Sequence, residues 1–160
     1  MHPEFWRKMM LNGSVVLYNK SSILEKDIAL IKAEGFEVAR VDCADLDEGA
    51  FHKKIAKTLM FPAYYGENLN AFDDCLSDIE PEKTGVLLVF ENYDKFLAKN
   101  PEFGNDVLEV IQVNAWRFLI RENVLMSFVQ SNDPELLIPA IGGMAPQWND
   151  AEWFDKARGL

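Results

Sequence analysis

Apolar residues come in short blocks separated by periodic stretches, and the spacing inside each block predicts its element. VVLYN (15–19) is an unbroken apolar run, as a strand covered on both faces would be. ILEKDIALIKAE follows with helical spacing. Ser22 and Glu25 make a capping box at its start, and Gly35 ends it. FEVARVDC (36–43) predicts a second strand, and Asp45 with Glu48 a second capping box. The helix so opened places Phe51, Ile55 and Leu59 on one face and stops at Phe61-Pro62. Leu69, Phe72, Cys75, Leu76 and Ile79 then define the buried side of another helix. GVLLVF (85–90) is a third buried strand, residues 105–122 a long amphipathic helix, and VLMSFV (124–129) a last strand.

The order β-α-β-α-α-β-α-β predicts an α/β domain over 1–132, with four parallel strands joined by right-handed crossovers. Residues 133–160 change character. Pro134, Pro139, Pro146 and the pair Gly142-Gly143 interrupt them, yet Ile138, Trp148, Trp153 and Phe154 are too apolar for a free tail. This extension is expected to dock on the domain.

Charge sharpens the picture. The formal net charge is −10, and residues 67–94 hold eight acids against the single base Lys83. Such a field repels nucleic acid and draws basic partners inward. No apolar run approaches the ~20 residues that cross a bilayer, and the N-terminal stretch does not read as a signal peptide. Cys43 and Cys75 lack CxxC spacing and lie in apolar patterns, as buried free thiols of a cytoplasmic protein would.

The acids concentrate within PAYYGENLNAFDDCL (62–76) and just beyond it. Opposite the apolar face, Asn70, Asp74 and Asp78 form an outward stripe with Asp73 and Ser77 beside it. Asp and Asn each cost roughly 0.5 kcal/mol against alanine in a helix. Asp74 and Asp78, one turn apart, repel by ~0.2–0.5 kcal/mol. A helix that carries such frustration on its exposed side is a candidate functional surface. In the preceding loop, Gly66 predicts a positive φ and Asn68 an N-cap. Of the adjacent Tyr64 and Tyr65, one should be exposed.

The run YYGENLNA, followed shortly by D-C-L, closely resembles the signature of the barstar family of intracellular ribonuclease inhibitors. A weaker likeness extends over residues 36–130, including VFE at the end of the third strand. The resemblance implies a small α/β domain whose loop and acidic helix plug a ribonuclease active site, carboxylates standing where RNA phosphates bind. Tyr64, Asn68, Asn70, Asp73, Asp74 and Ser77 then fall at contacting positions, with Gly66 and Glu67 in the same loop. Asp74 matches the central carboxylate. Asn70 stands where the inhibitor has an aspartate, and Asp73 where it has an exposed tryptophan. The implied partner is a basic ribonuclease of extracellular or toxin type, met by an immunity-type antitoxin, with no cofactor, metal, nucleic acid or membrane involved.

Two other classes compete with this one. A non-inhibitory module could use the same acids on another basic protein. An enzyme could bind Mg²⁺ through Asp73, Asp74 and Asp78, or through Glu91 and Asp94 after the third strand. Adjacent helical residues diverge by about 100°, however, so Asp73 and Asp74 do not converge on one ion. The sequence holds no P-loop, GxGxxG, HExxH or GxSxG motif. His52 adjoins the core-facing Phe51 and reads as structural, and His2 lies near the terminus. No catalysis is therefore expected.

Overall fold

The computed structural model describes residues 4–11 and 13–152. Its frame is a parallel sheet in the order β2-β3-β4-β1-β5, built from β1 (Val15–Tyr18), β2 (Phe36–Asp42), β3 (Gly85–Glu91), β4 (Val124–Gln130) and β5 (Gln147–Trp148). The three central strands are buried along almost their whole length, which is why each reads as a continuous apolar run. Register is regular: Val41 lies beside Phe90, Val89 beside Phe128, and Val16 beside both Phe128 and Gln147.

Helices cover both faces. On one side lie α1 (Phe5–Met9) and α2 (Ser21–Ala33), packing Trp6, Leu24, Ile28 and Ile31 onto Val16, Val89 and Phe128. On the other lie α3 (Glu48–Thr58), α4 (Leu69–Ser77), α5 (Tyr93–Lys99) and α6 (Pro101–Ile120). An aromatic cluster of Phe51, Phe72, Phe90, Phe96 and Phe103 fills this larger core, Phe51 meeting Phe72 edge-on at 6.1 Å. Ile138 and Ile141 are buried in the same core, and β5 pairs with β1 at the far edge of the sheet. Trp153, Phe154 and His2 lie outside the described residues.

The fold has three elements beyond those the spacing predicts, the fifth strand, α1 and α5, and the helix expected over 105–122 runs Pro101–Ile120. Pro101 at the first helical position favours that early start, because a proline there gives up no helical hydrogen bond. Neither capping box forms. The N-cap of α2 is Lys20, whose side chain makes no capping bond, and Glu25 reaches Arg40 instead, at 2.5 and 3.0 Å. The N-cap of α3 is Asp47, whose Oδ1 accepts the Ala50 N–H at 2.8 Å. Leu46 packs on the core and holds the chain in a turn, which delays the helix past Asp45.

Candidate functional site

The loop between α3 and α4 is fixed from below and bare above. Tyr65 stacks on Phe61 with centroids 5.0 Å apart, and its hydroxyl hydrogen-bonds with His52 Nδ1 at 2.5 Å. His52 is only 3% exposed, in keeping with a structural role. Burial holds its imidazole below the ordinary range, so it is neutral at physiological pH. With Tyr65 turned inward, Tyr64 turns out and is 79% exposed. The left-handed residues of this loop are Met60, at φ 54, and Glu67, at φ 51, rather than Gly66. A Cβ on Gly66 would come no nearer than 3.4 Å to its neighbours, so glycine is not demanded there by space. Asn68 is the N-cap of α4, as expected, its Oδ1 accepting the Ala71 N–H at 2.8 Å.

On α4 the side chains sort themselves by face. Phe72, Cys75 and Leu76 are buried, while Asn70, Asp74 and Asp78 are exposed. Asp73 and Ser77 lie between, turned toward α6. Asp73 accepts from Arg117 at 2.8 Å and from the buried Asn114 at 2.7 Å. Ser77 donates its hydroxyl to Asn114 Oδ1 at 2.7 Å, and its carbonyl accepts from Arg121 at 2.7 Å. The charge of Asp73 is thus neutralised within the chain. That of Asp74 is not: among the described residues it has neither a hydrogen-bond nor an ion-pair partner.

Residues of α6 that sequence reasoning missed adjoin this face. Asp106 and Glu109, with Leu69 and Asp73, line a hollow of about 300 Å³ between α4 and α6. Arg117 and Arg121 make a basic margin about two to four turns further along. The i, i+3 acids of α6 were visible in the sequence, but nothing there paired α6 with α4.

Other chemistry-bearing groups are engaged elsewhere. Glu91 pairs with Arg40 at 3.1 Å, and Asp94 accepts from Asn132 at 3.0 Å. Cys43 and Cys75 are free and buried. Burial pushes the Cys43 thiol up to about 12 and raises that of Cys75, aided by Asp78 and Asp74, so both are protonated at neutral pH. Among the described residues no three His, Cys, Asp or Glu side chains stand close enough to share a metal ion. No described helix is long and apolar enough to cross a membrane.

The family model of barstar, the barnase inhibitor, matches residues 36–129, a span that contains both the loop and the acidic helix. A Bacillus subtilis protein named "Putative ribonuclease inhibitor YrdF" is 44% identical over 62 residues, covering 38% of this chain. The match spans 65% of that relative's length. A chain in the structure of Drosophila ORC bound to AT-rich DNA and Cdc6 superposes with a TM-score of 0.50 over 89% of this chain and 46% of its own. At 14% identity this likeness is one of fold alone.

Proposed function

The chain belongs to the barstar family, and from that premise we propose that it is a non-catalytic, cytoplasmic inhibitor of a basic ribonuclease, of the kind that protects a cell from a toxin. The face formed by Tyr64, Gly66, Glu67, Asn68, Asn70, Asp73, Asp74 and Ser77 enters the enzyme's active site. The observation that carries this reading is Asp74: an exposed, unpaired carboxylate at the middle of α4. A free carboxylate is poised to accept charge-assisted, bidentate hydrogen bonds from arginines that otherwise hold RNA phosphates. Glu67 in the same loop and Asp106 and Glu109 on the neighbouring α6 add to the negative field and raise the rate of encounter with a positive cleft. Asp73 acts differently from Asp74, bracing α4 against α6 while its outer oxygen lies at the margin of the contact. Two buried free thiols suit a reducing compartment.

The test is a titration of the full chain against a barnase-type ribonuclease, following RNA cleavage, repeated with Asp74→Ala. Loss of one partner from a buried charge pair costs about 2–5 kcal/mol, so inhibition should weaken on the order of 30- to 5000-fold. Because the Asp74 carboxylate is exposed and bonds to no other described side chain, thermal stability should stay within about 0.5 kcal/mol of the parent. Equal inhibition by the variant would remove Asp74 from the site. Absence of inhibition by the parent would favour a basic partner without nuclease activity on the same face.

A further inference from the structure

A second surface lies at the open edge of the sheet. β2 ends the strand order, with β3 on one side and, among the described residues, no strand on the other. Cys43 donates its N–H to Glu91, and the Gly35 carbonyl accepts from Thr84, both on the β3 side. Backbone groups alternate along a strand. Those of Val38 and Arg40 therefore face outward, each offering an N–H and a C=O.

Beside this edge is a hollow of about 470 Å³, within the size range of sites that take side chains or small ligands. Its walls are Leu59, Phe61, Cys75, Ile79 and Val86, and its rim carries the acids Glu37, Asp78 and Glu80. No lysine, arginine or histidine lines it. The C-terminal end of α3, at Thr58, and that of α4, at its C-cap Asp78, both lie on this hollow. The negative ends of the two helix dipoles add to the charge of the three carboxylates. The floor is apolar, the rim is acidic, and the adjoining backbone is ready to pair.

We infer that this edge receives an extended segment of a partner protein in which apolar side chains alternate with lysine or arginine. The segment adds as a strand beside β2, bonding to Val38 and Arg40. Its apolar side chains enter the hollow and its cations meet Glu37, Asp78 and Glu80. Main-chain bonds supply affinity in this mode and the side-chain hollow supplies selectivity. Edge strands that are not binding sites are usually shielded by proline, a bulge or dense charge. β2 has neither proline nor bulge along its seven residues, and its one cation, Arg40, is held by Glu25 and Glu91 instead of guarding the edge. The inference is independent of the plug, because none of its rim residues belongs to the set assigned to the ribonuclease.

The experiment titrates the isotope-labelled full chain with a blocked hexapeptide of alternating arginine and valine. Controls are the same peptide with glutamate for arginine, and one with alternate amides N-methylated. The basic peptide should shift the amide resonances of Val38, Arg40 and Ile79 and slow alkylation of Cys75 at least fivefold, while both controls leave these unchanged. Val38→Pro, which removes one outward N–H, and Glu80→Lys, on an exposed turn, should each weaken the response tenfold or more. Absence of shifts at Val38 and Arg40 overturns the inference. So does equal binding of the N-methylated peptide, which would mark a hollow for small molecules, or a free edge already protected by a second copy of the chain.

Discussion

Glu67 shows at the scale of one residue how a site sets itself against stability. A glutamate in the left-handed region costs about 1–2 kcal/mol relative to the right-handed one, whereas glycine adopts it freely. Glu67→Gly should therefore raise the free energy of unfolding by up to about 1 kcal/mol after the added entropy of the unfolded glycine. The same change removes a carboxylate from the plug, so urea stability and inhibition should move in opposite directions. A drop in both would mean that Glu67 holds the loop through contacts of its side chain. His52, beneath the loop, gives a second prediction at this scale. Its folded imidazole binds a proton less readily than the unfolded one, because burial disfavours the charge even against the pull of Glu67 and Glu48. The stability it confers is complete above about pH 6.5 and is lost as pH falls toward the depressed folded value. Between pH 7.5 and 5.5 the parent should lose stability that His52→Phe does not lose; parallel curves would show that His52 is not the titrating group.

At the scale of elements, the plug depends on α6. Asp73, Ser77, Asn114 and Arg117 form one network between α4 and α6, with Asn114 fully buried at its centre. Asn114→Ala strands two buried or half-buried partners and should cost about 1–3 kcal/mol. The outer pair is partly solvated, with side-chain exposures of 34% for Asp73 and 48% for Arg117. A double-mutant cycle on Asp73→Ala and Arg117→Ala should accordingly give a coupling of only about 0.5–1 kcal/mol, read from urea unfolding. Zero coupling would leave Asp73 available to the partner. The sequence made α4 legible because its buried face repeats over three turns and Asn68 caps it by a local bond. Arg117 and Asn114 were not legible, since their meeting with Asp73 is set by how two helices lie across a shared core. The failed capping boxes have the same origin. Glu25 and Asp45 satisfy the local pattern, but the long-range pull of Arg40 and the burial of Leu46 decide the outcome. α5 escaped notice because its seven residues are too few to display a period.

At the scale of the whole molecule, the two edges of the sheet are treated differently, and the difference rests on the C-terminal segment. At the far edge β5 joins β1, and just beyond it the buried carboxylate of Glu152 accepts the N–H of Asn19 at 2.8 Å and of Lys20 at 2.5 Å. It also takes a hydrogen bond from Asn149, whose own backbone N–H reaches the Leu17 carbonyl at 3.0 Å. One anion from the tail thus occupies the turn between β1 and α2. In open α/β sheets that crevice beyond the strand ends is the common place for a bound anion. Filling it from within removes the site that would otherwise invite a phosphate, and it ties the last described residues to the strand that the family match does not include. Glu152→Ala leaves three donors without their acceptor and should cost about 1.5–3 kcal/mol, with Glu152→Gln intermediate because one oxygen remains. Urea unfolding of both variants reads this directly. A change below about 0.5 kcal/mol for the alanine would make the tail a passive cover. A full loss would make it the clasp that holds β1 and α2 to the family core, leaving the β2 edge as the side of the sheet open to a partner.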